Sequence, residues 1–230
     1  MPRTLRYLRK YGECMSIKGA IFDFDGTLFD SMSIWETVAS DYLASFGYNP
    51  KKDLSKTLKT MSLMQSAAYL KENYGLPLSV PEIIDGVNQI VEDYYFYHVM
   101  PKDHVIALLT ALQNKGIKMC IATALNLEQA KAALKRCDML HYFDTIFTCN
   151  EVGHGKDEPY IFELACQAMG FDQSETAVFE DGYHGAKTAK DAGFYVVGVY
   201  DRYEKRTAEL KDLADVYLDS FFNAQKLLHI

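Results

Sequence analysis

The chain has 230 residues, 49% of them apolar, and a formal net charge of −7. That length and apolar share suit one large domain, or a core with a smaller companion. The acidity argues against nucleic acid or an anionic membrane as partner, but not against an anionic substrate, because a bound cation reverses the sign locally.

No run approaches the roughly 18 apolar residues of a membrane span. The five cysteines, Cys14, Cys120, Cys137, Cys149 and Cys166, form no CxxC pair and no metal-ligand spacing. An odd, scattered set fits reduced thiols in a cytoplasm. Residues 1–14 carry Arg3, Arg6, Arg9 and Lys10 against Glu13 alone, and no apolar stretch follows, so they do not read as a secretory signal. They are expected to form a poorly ordered N-terminal extension without a catalytic role, with Met15 a natural start.

The apolar run Gly19-Ala20-Ile21-Phe22 predicts a buried parallel strand. It stops on Asp23, and Asp25 and Gly26 follow; the glycine permits a tight turn. Two carboxylates at the end of an apolar strand are expensive to bury. A divalent cation would offset their repulsion, leaving one free to attack an electrophile and the other to handle a proton.

After Ser31 the pattern becomes helical. Ile34, Val38, Tyr42 and Leu43 share one helix face, and Gly47 with Pro50 closes it. Residues 52–75 and 80–98 also read as helices, and no strand is evident between residues 31 and 99. About 70 residues far exceed an ordinary crossover, so residues 31–98 are expected to be a separate helical insertion.

From Pro101 helices and strands alternate: a helix at 103–115, a strand at 117–122, and a helix from Asn126 to about Arg136, opened by an Asn126–Gln129 capping box. A strand at 145–149, a helix near 158–169, a strand at 177–179, a helix near 183–191 and strands at 195–200 and 216–218 complete the series. Such alternation predicts an α/β fold with a doubly wound parallel sheet. Ligands in that fold bind outside the carboxyl ends of the strands. Thr123, Lys156, Glu180 and Asp181 all lie at or just beyond predicted strand ends, or before a helix.

The stretch DFDGTLFDS at 23–31, Thr123 after its apolar run, Lys156 in GHGKDEPYIF, and Glu180-Asp181 in VFEDGYHGAK occur in this order. Together they resemble the four motifs of the haloacid dehalogenase superfamily, in its phosphatase-rich, helical-cap branch. Asp157 and Tyr160 stand where that pattern has Pro and Asp, and Gly182 replaces a common Ser. The resemblance implies a Rossmann-like core from residues 15–30 and 99–230 with residues 31–98 as a small all-helical cap.

It also implies a mechanism. Asp23 attacks phosphorus to give an aspartyl-phosphate, and Asp25 protonates the leaving oxygen and then activates water. Mg²⁺ is held by Asp23, the Asp25 carbonyl, Asp181 and Glu180, the last directly or through water. Thr123, the Ala124 N–H and Lys156 hold the transferring group. The expected substrate is a small phosphorylated metabolite.

Dehalogenases and phosphonate hydrolases of the superfamily lack the second motif-one Asp, so Asp25 counts against both. A non-catalytic relative should have lost part of this set. A β-phosphoglucomutase-like activity is the alternative. However, Trp35 stands where those mutases have a cap-hinge His. Leu63 stands where they have an Arg for the distal phosphate, in an alignment that puts Thr60 at the preceding Gly.

Overall fold

The computed structural model describes residues 5–8, 14–58 and 61–228. Thr60 and residues 1–4 and 9–13 of the basic N-terminal stretch lie outside the described residues. The chain divides into two compact units, Met1–Asp30 with Met100–Ile230, and Ser31–Val99. Strand β1 (Leu5–Leu8) lies in the expected N-terminal extension, residues 1–14, and pairs antiparallel with β2 (Cys14–Ile17), which begins at the last residue of that extension.

The first unit is built on six parallel strands: β3 (Gly19–Phe22), β4 (Lys118–Thr123), β5 (Thr145–Thr148), β6 (Thr176–Glu180), β7 (Tyr195–Val199) and β8 (Val216–Leu218). Their spatial order is β5-β4-β3-β6-β7-β8. The chain starts in the middle, builds outward through β4 and β5, then returns to the other side of β3. The order therefore reverses between β3 and β6, which is where a doubly wound sheet opens a crevice at its carboxyl edge. Every residue of β3, β6 and β7 is buried, as expected for strands covered on both faces.

The unit Ser31–Val99 is all-helical. It contains α1 (Ile34–Ser45), α2 (Leu54–Leu58), α3 (Leu63–Tyr74) and α4 (Val80–Asp93), then a π-helical turn over Tyr94–His98. The buried residues of α1 are Ile34, Val38, Tyr42 and Leu43, the face its spacing predicts. Residues 52–75 form two helices rather than one, because Ser62 opens α3 with a reciprocal capping box to Gln65. Ser79 and Glu82 do the same for α4. Gly86 allows α1 and α4 to approach closely, since a Cβ there would lie 2.4 Å from the Tyr42 ring.

The remaining helices belong to the first unit: α5 (Val105–Asn114), α6 (Leu127–Arg136), α7 (Cys149–Val152), α8 (Tyr160–Met169), α9 (Tyr183–Asp191), α10 (Thr207–Leu213) and α11 (Ala224–Leu227). Asn126 caps α6 through the Glu128 N–H at 2.9 Å. Helix α5 has no side-chain cap, a deficit of about 0.5–2 kcal/mol. Its Val105, Leu108, Leu109 and Leu112 are buried, and at about 1.5–3 kcal/mol each their burial decides the matter.

One face of the sheet packs Ile21, Ala122, Val178 and Val196 against Ile161, Phe162 and Ala165 of α8 and Ala186 and Ala189 of α9. Phe22 of β3 stacks on Phe179 of β6 at 4.2 Å between centroids. The chain leaves and re-enters this unit through one short antiparallel contact. Asp30 N–H donates to Met100 O at 3.0 Å, and Lys102 N–H donates to Leu28 O at 2.9 Å.

Candidate active site

Phe22 is level with Ile121 of β4 and Phe179 of β6. Asp23, Thr123 and Glu180 therefore leave the sheet at the same carboxyl edge, beside the reversal of strand order. Asp23 N–H donates to Phe179 O at 2.9 Å, which extends the β3–β6 pairing one residue further and fixes the start of the acidic turn. Gly26 sits at φ 76°, a left-handed conformation that suits glycine.

Four of the residues singled out from the sequence come together here. Asp23, Glu180 and Asp181 are buried, and each offers a carboxylate oxygen within 4.8 Å of the others. Lys156 bridges two of them. Its Nζ donates to Asp23 Oδ1 and, at 2.7 Å, to Glu180 Oε1. The two departures from the family pattern near Lys156 leave it in contact with Asp23. Asp157 is exposed and Tyr160 opens α8, its ring 4.9 Å from that of His154.

Asp25 lies half-buried on the turn and is not one of the three clustered carboxylates. Thr123 ends β4 fully buried, and its Oγ1 accepts the Leu125 N–H at 3.0 Å, which leaves its own O–H available to donate. Ala124 is exposed in the bend that follows.

Negative charge is in excess in the cluster: all three carboxylates are buried, and among the described residues Lys156 pairs with two of them, Asp23 and Glu180. Burial pushes Glu180 up to about 7, against the pull of Lys156. Burial, then the charges of Asp23, Glu180 and Asp201, hold Asp181 well above the usual carboxylate range. Burial alone would lower Lys156, but Asp23 and Glu180 outweigh it and its pKa is raised. Such a site takes up either protons or a cation. Hard oxygen donors in this number suit a divalent cation such as Mg²⁺, with substrate oxygens and water completing the shell.

Two supports were not singled out in the sequence. Thr27, inside the DFDGTLFDS stretch and fully buried, donates its hydroxyl to Asp181 Oδ1 at 3.0 Å. Asp201, just past β7 and also buried, accepts from Lys102 Nζ at 3.0 Å, while Lys102 donates to Tyr200 O at 2.6 Å. Asp201 carries the same signal as the others, an acid following an apolar strand, but it lies outside the motif order. The partner of Thr27 is 154 positions away, so nothing local marks it.

Residues 20–199 match the profile of the haloacid dehalogenase-like hydrolases. The chain belongs to this family. Among curated relatives, the phosphorylated carbohydrates phosphatase of Thermotoga maritima is 25% identical over 177 residues, 77% of this chain and 82% of that protein. The validoxylamine A 7'-phosphate phosphatase of Streptomyces hygroscopicus subsp. limoneus is 26% identical, over 86% of this chain and 95% of that one. A Thermotoga maritima crystal structure assigned provisionally as a β-phosphoglucomutase superposes with a TM-score of 0.81 at 24% identity, covering 91% of this chain and 99% of that one. The structural likeness bears on the fold alone. Members of the family are enzymes that generally work with a divalent metal, and the buried acidic triad is consistent with one. Among the described residues, no helix is long and apolar enough to cross a membrane.

Proposed function

We propose that this chain is a Mg²⁺-dependent phosphatase that hydrolyses the monoester of a small phosphorylated carbohydrate through an aspartyl-phosphate on Asp23. The observation that carries the reading is the Lys156 bridge between Asp23 and Glu180, inside a buried cluster with an excess of negative charge. That arrangement suits a dianionic phosphoryl group brought in with its counter-ion. Sugar phosphates enter the reading because the phosphatases of Thermotoga maritima and Streptomyces hygroscopicus are named for phosphorylated carbohydrates and a related phosphate ester.

The Asp23 carboxylate forms a bond to phosphorus as the bond to the leaving oxygen breaks. Asp25 gives its proton to that oxygen, so the alcohol departs neutral. Asp25 then takes a proton from water as the water oxygen bonds to phosphorus and the bond from phosphorus to the Asp23 carboxylate breaks. Inorganic phosphate leaves, and Asp23 and Asp25 return to their first states. Lys156, the Thr123 hydroxyl and the Ala124 N–H offset charge on the non-bridging oxygens. Asp23, the Asp25 carbonyl and Asp181 would hold Mg²⁺, with Glu180 direct or through water, and the ion would neutralise phosphoryl charge there. The helical unit Ser31–Val99 serves as the cap and selects the leaving group. We place the enzyme in the cytoplasm, where its cysteines stay reduced.

A mutase reading is not favoured. Trp35 in the first turn of α1 is 55% exposed, and Leu63 at the start of α3 is 46% exposed. Neither offers the imidazole or guanidinium that a second phosphate would need. Phosphate release measured over a panel of sugar phosphates, with Mg²⁺ and with chelator, tests the reading. Metal-dependent hydrolysis of at least one member supports it, and uniform inactivity overturns it.

A further inference from the structure

Helix α9 follows the Glu180-Asp181 pair, and Gly185 lies in its first turn, buried. Nothing in its backbone calls for glycine, because it is absent from the positive-φ positions. An α-helix favours Ala over Gly at such a place. The space is what excludes a side chain. A Cβ at Gly185 would lie 2.5 Å from Glu180 Oε1, 2.8 Å from its Cδ and 3.3 Å from Oε2.

A carboxylate at the end of a free side chain would swing away from such a contact at little cost. Glu180 is not free. It is 3% exposed, its Oε1 accepts from Lys156 Nζ at 2.7 Å, and its Oε2 accepts from the Gly182 N–H at 3.2 Å. Moving the carboxylate far enough to relieve the contact lengthens or misaligns one or both bonds. Lys156, which also bridges to Asp23, is then held less firmly by one of its two anchors.

We infer that Gly185 is a positioning residue: its missing side chain seats the Glu180 carboxylate, and Glu180 in turn holds Lys156 against Asp23. This rests on the function proposed above for its catalytic consequence, but not for its packing content. Gly26 makes a comparable approach to Asp181, 2.2 Å from Oδ2 to a built Cβ. Its positive φ makes the turn itself depend on glycine, so only Gly185 isolates the effect of space.

A double-mutant cycle tests it, with Gly185→Ala made in wild type and in Glu180→Asp. Aspartate is one methylene shorter and withdraws the carboxylate from the added methyl. Three readouts are taken on each protein: melting temperature without metal, Mg²⁺ affinity by calorimetry, and phosphate release. Gly185→Ala in wild type is expected to lower the melting temperature and to weaken Mg²⁺ binding and turnover by about tenfold or more. In the Glu180→Asp background the same change is expected to cost less than about twofold in both and to raise the melting temperature, as Gly→Ala in a helix ordinarily does.

Unchanged affinity and melting in wild type would overturn the inference. Equal losses in both backgrounds would overturn it too, because the effect would not pass through the Glu180 carboxylate. If Gly185→Ala does not fold, folding of the double variant supports the inference and its failure contradicts it. If wild type releases no phosphate from any substrate, the proposed function fails, while the melting cycle still reads the contact.

Discussion

Thr27 Oγ1 donates a 3.0 Å hydrogen bond to Asp181 Oδ1, and both residues are buried. The first acidic turn thereby holds the last carboxylate of the cluster, across 154 positions of sequence. Thr27→Val keeps the shape and removes the donor. A buried acceptor left without its partner costs roughly 1–3 kcal/mol, so chemical denaturation should show a loss in that range. Mg²⁺ affinity should fall with it, because Asp181 is no longer oriented. Unchanged stability and affinity would show that the bond is incidental.

The metal-free protein should become less stable as pH rises. Glu180 is pushed up to about 7 by burial, and Asp181 is also raised by burial and by its acidic neighbours. An acid whose pKa is higher in the folded state binds more protons there than in the unfolded chain. Its contribution is fully present below the unfolded value, near 4.5, and is lost as pH climbs through about 7. Thermal melting in chelator should therefore decline between pH 5 and 8. Added Mg²⁺ should raise the melting temperature most at the upper end, where it meets ionised carboxylates. A melting temperature that rises over this window in chelator would contradict the assignment.

Lys156→Met should leave Asp23 and Glu180 without the ammonium that bridges them. Removing one partner of a buried ion pair costs about 3–5 kcal/mol, and the loss should appear in metal-free unfolding at pH 7.5. Phosphate release should fall at least a thousandfold, on the order expected when a preorganised charge is lost from a phosphoryl-transfer site. Retention of more than a tenth of the wild-type rate would remove Lys156 from the mechanism.

Hydrolysis rather than isomerisation is the expected outcome with a sugar phosphate. Trp35 and Leu63 occupy the positions where the mutase pattern places His and Arg. A coupled glucose-6-phosphate dehydrogenase assay with β-glucose 1-phosphate, primed with bisphosphate, should therefore show no turnover above background. Robust turnover would reverse the choice between the two activities.

What the sequence made legible follows from how strongly local chemistry constrains each place. Apolar runs that stop on an acid, at Phe22-Asp23 and Phe179-Glu180, mark both strand ends that meet at the reversal of strand order. The α1 face was readable because Ile34, Val38 and Tyr42 recur at helical spacing. The break between α2 and α3 does carry a local signal, the Ser62–Gln65 capping box, but helical periodicity alone runs past it. The Thr27–Asp181 and Lys102–Asp201 contacts join residues far apart in the chain. A single sequence holds no record of such pairs. Gly185 also reads as an ordinary small residue until the position of the Glu180 carboxylate is known.

Asp23 as the nucleophile is the centre of the proposed mechanism. The measurement is the steady-state rate of phosphate release by Asp23→Asn, at saturating Mg²⁺ and substrate, with circular dichroism and melting as controls. The amide is nearly isosteric but a poor nucleophile, so a folded variant should lose at least about a thousandfold in turnover. A folded variant within about tenfold of wild type would contradict the covalent mechanism.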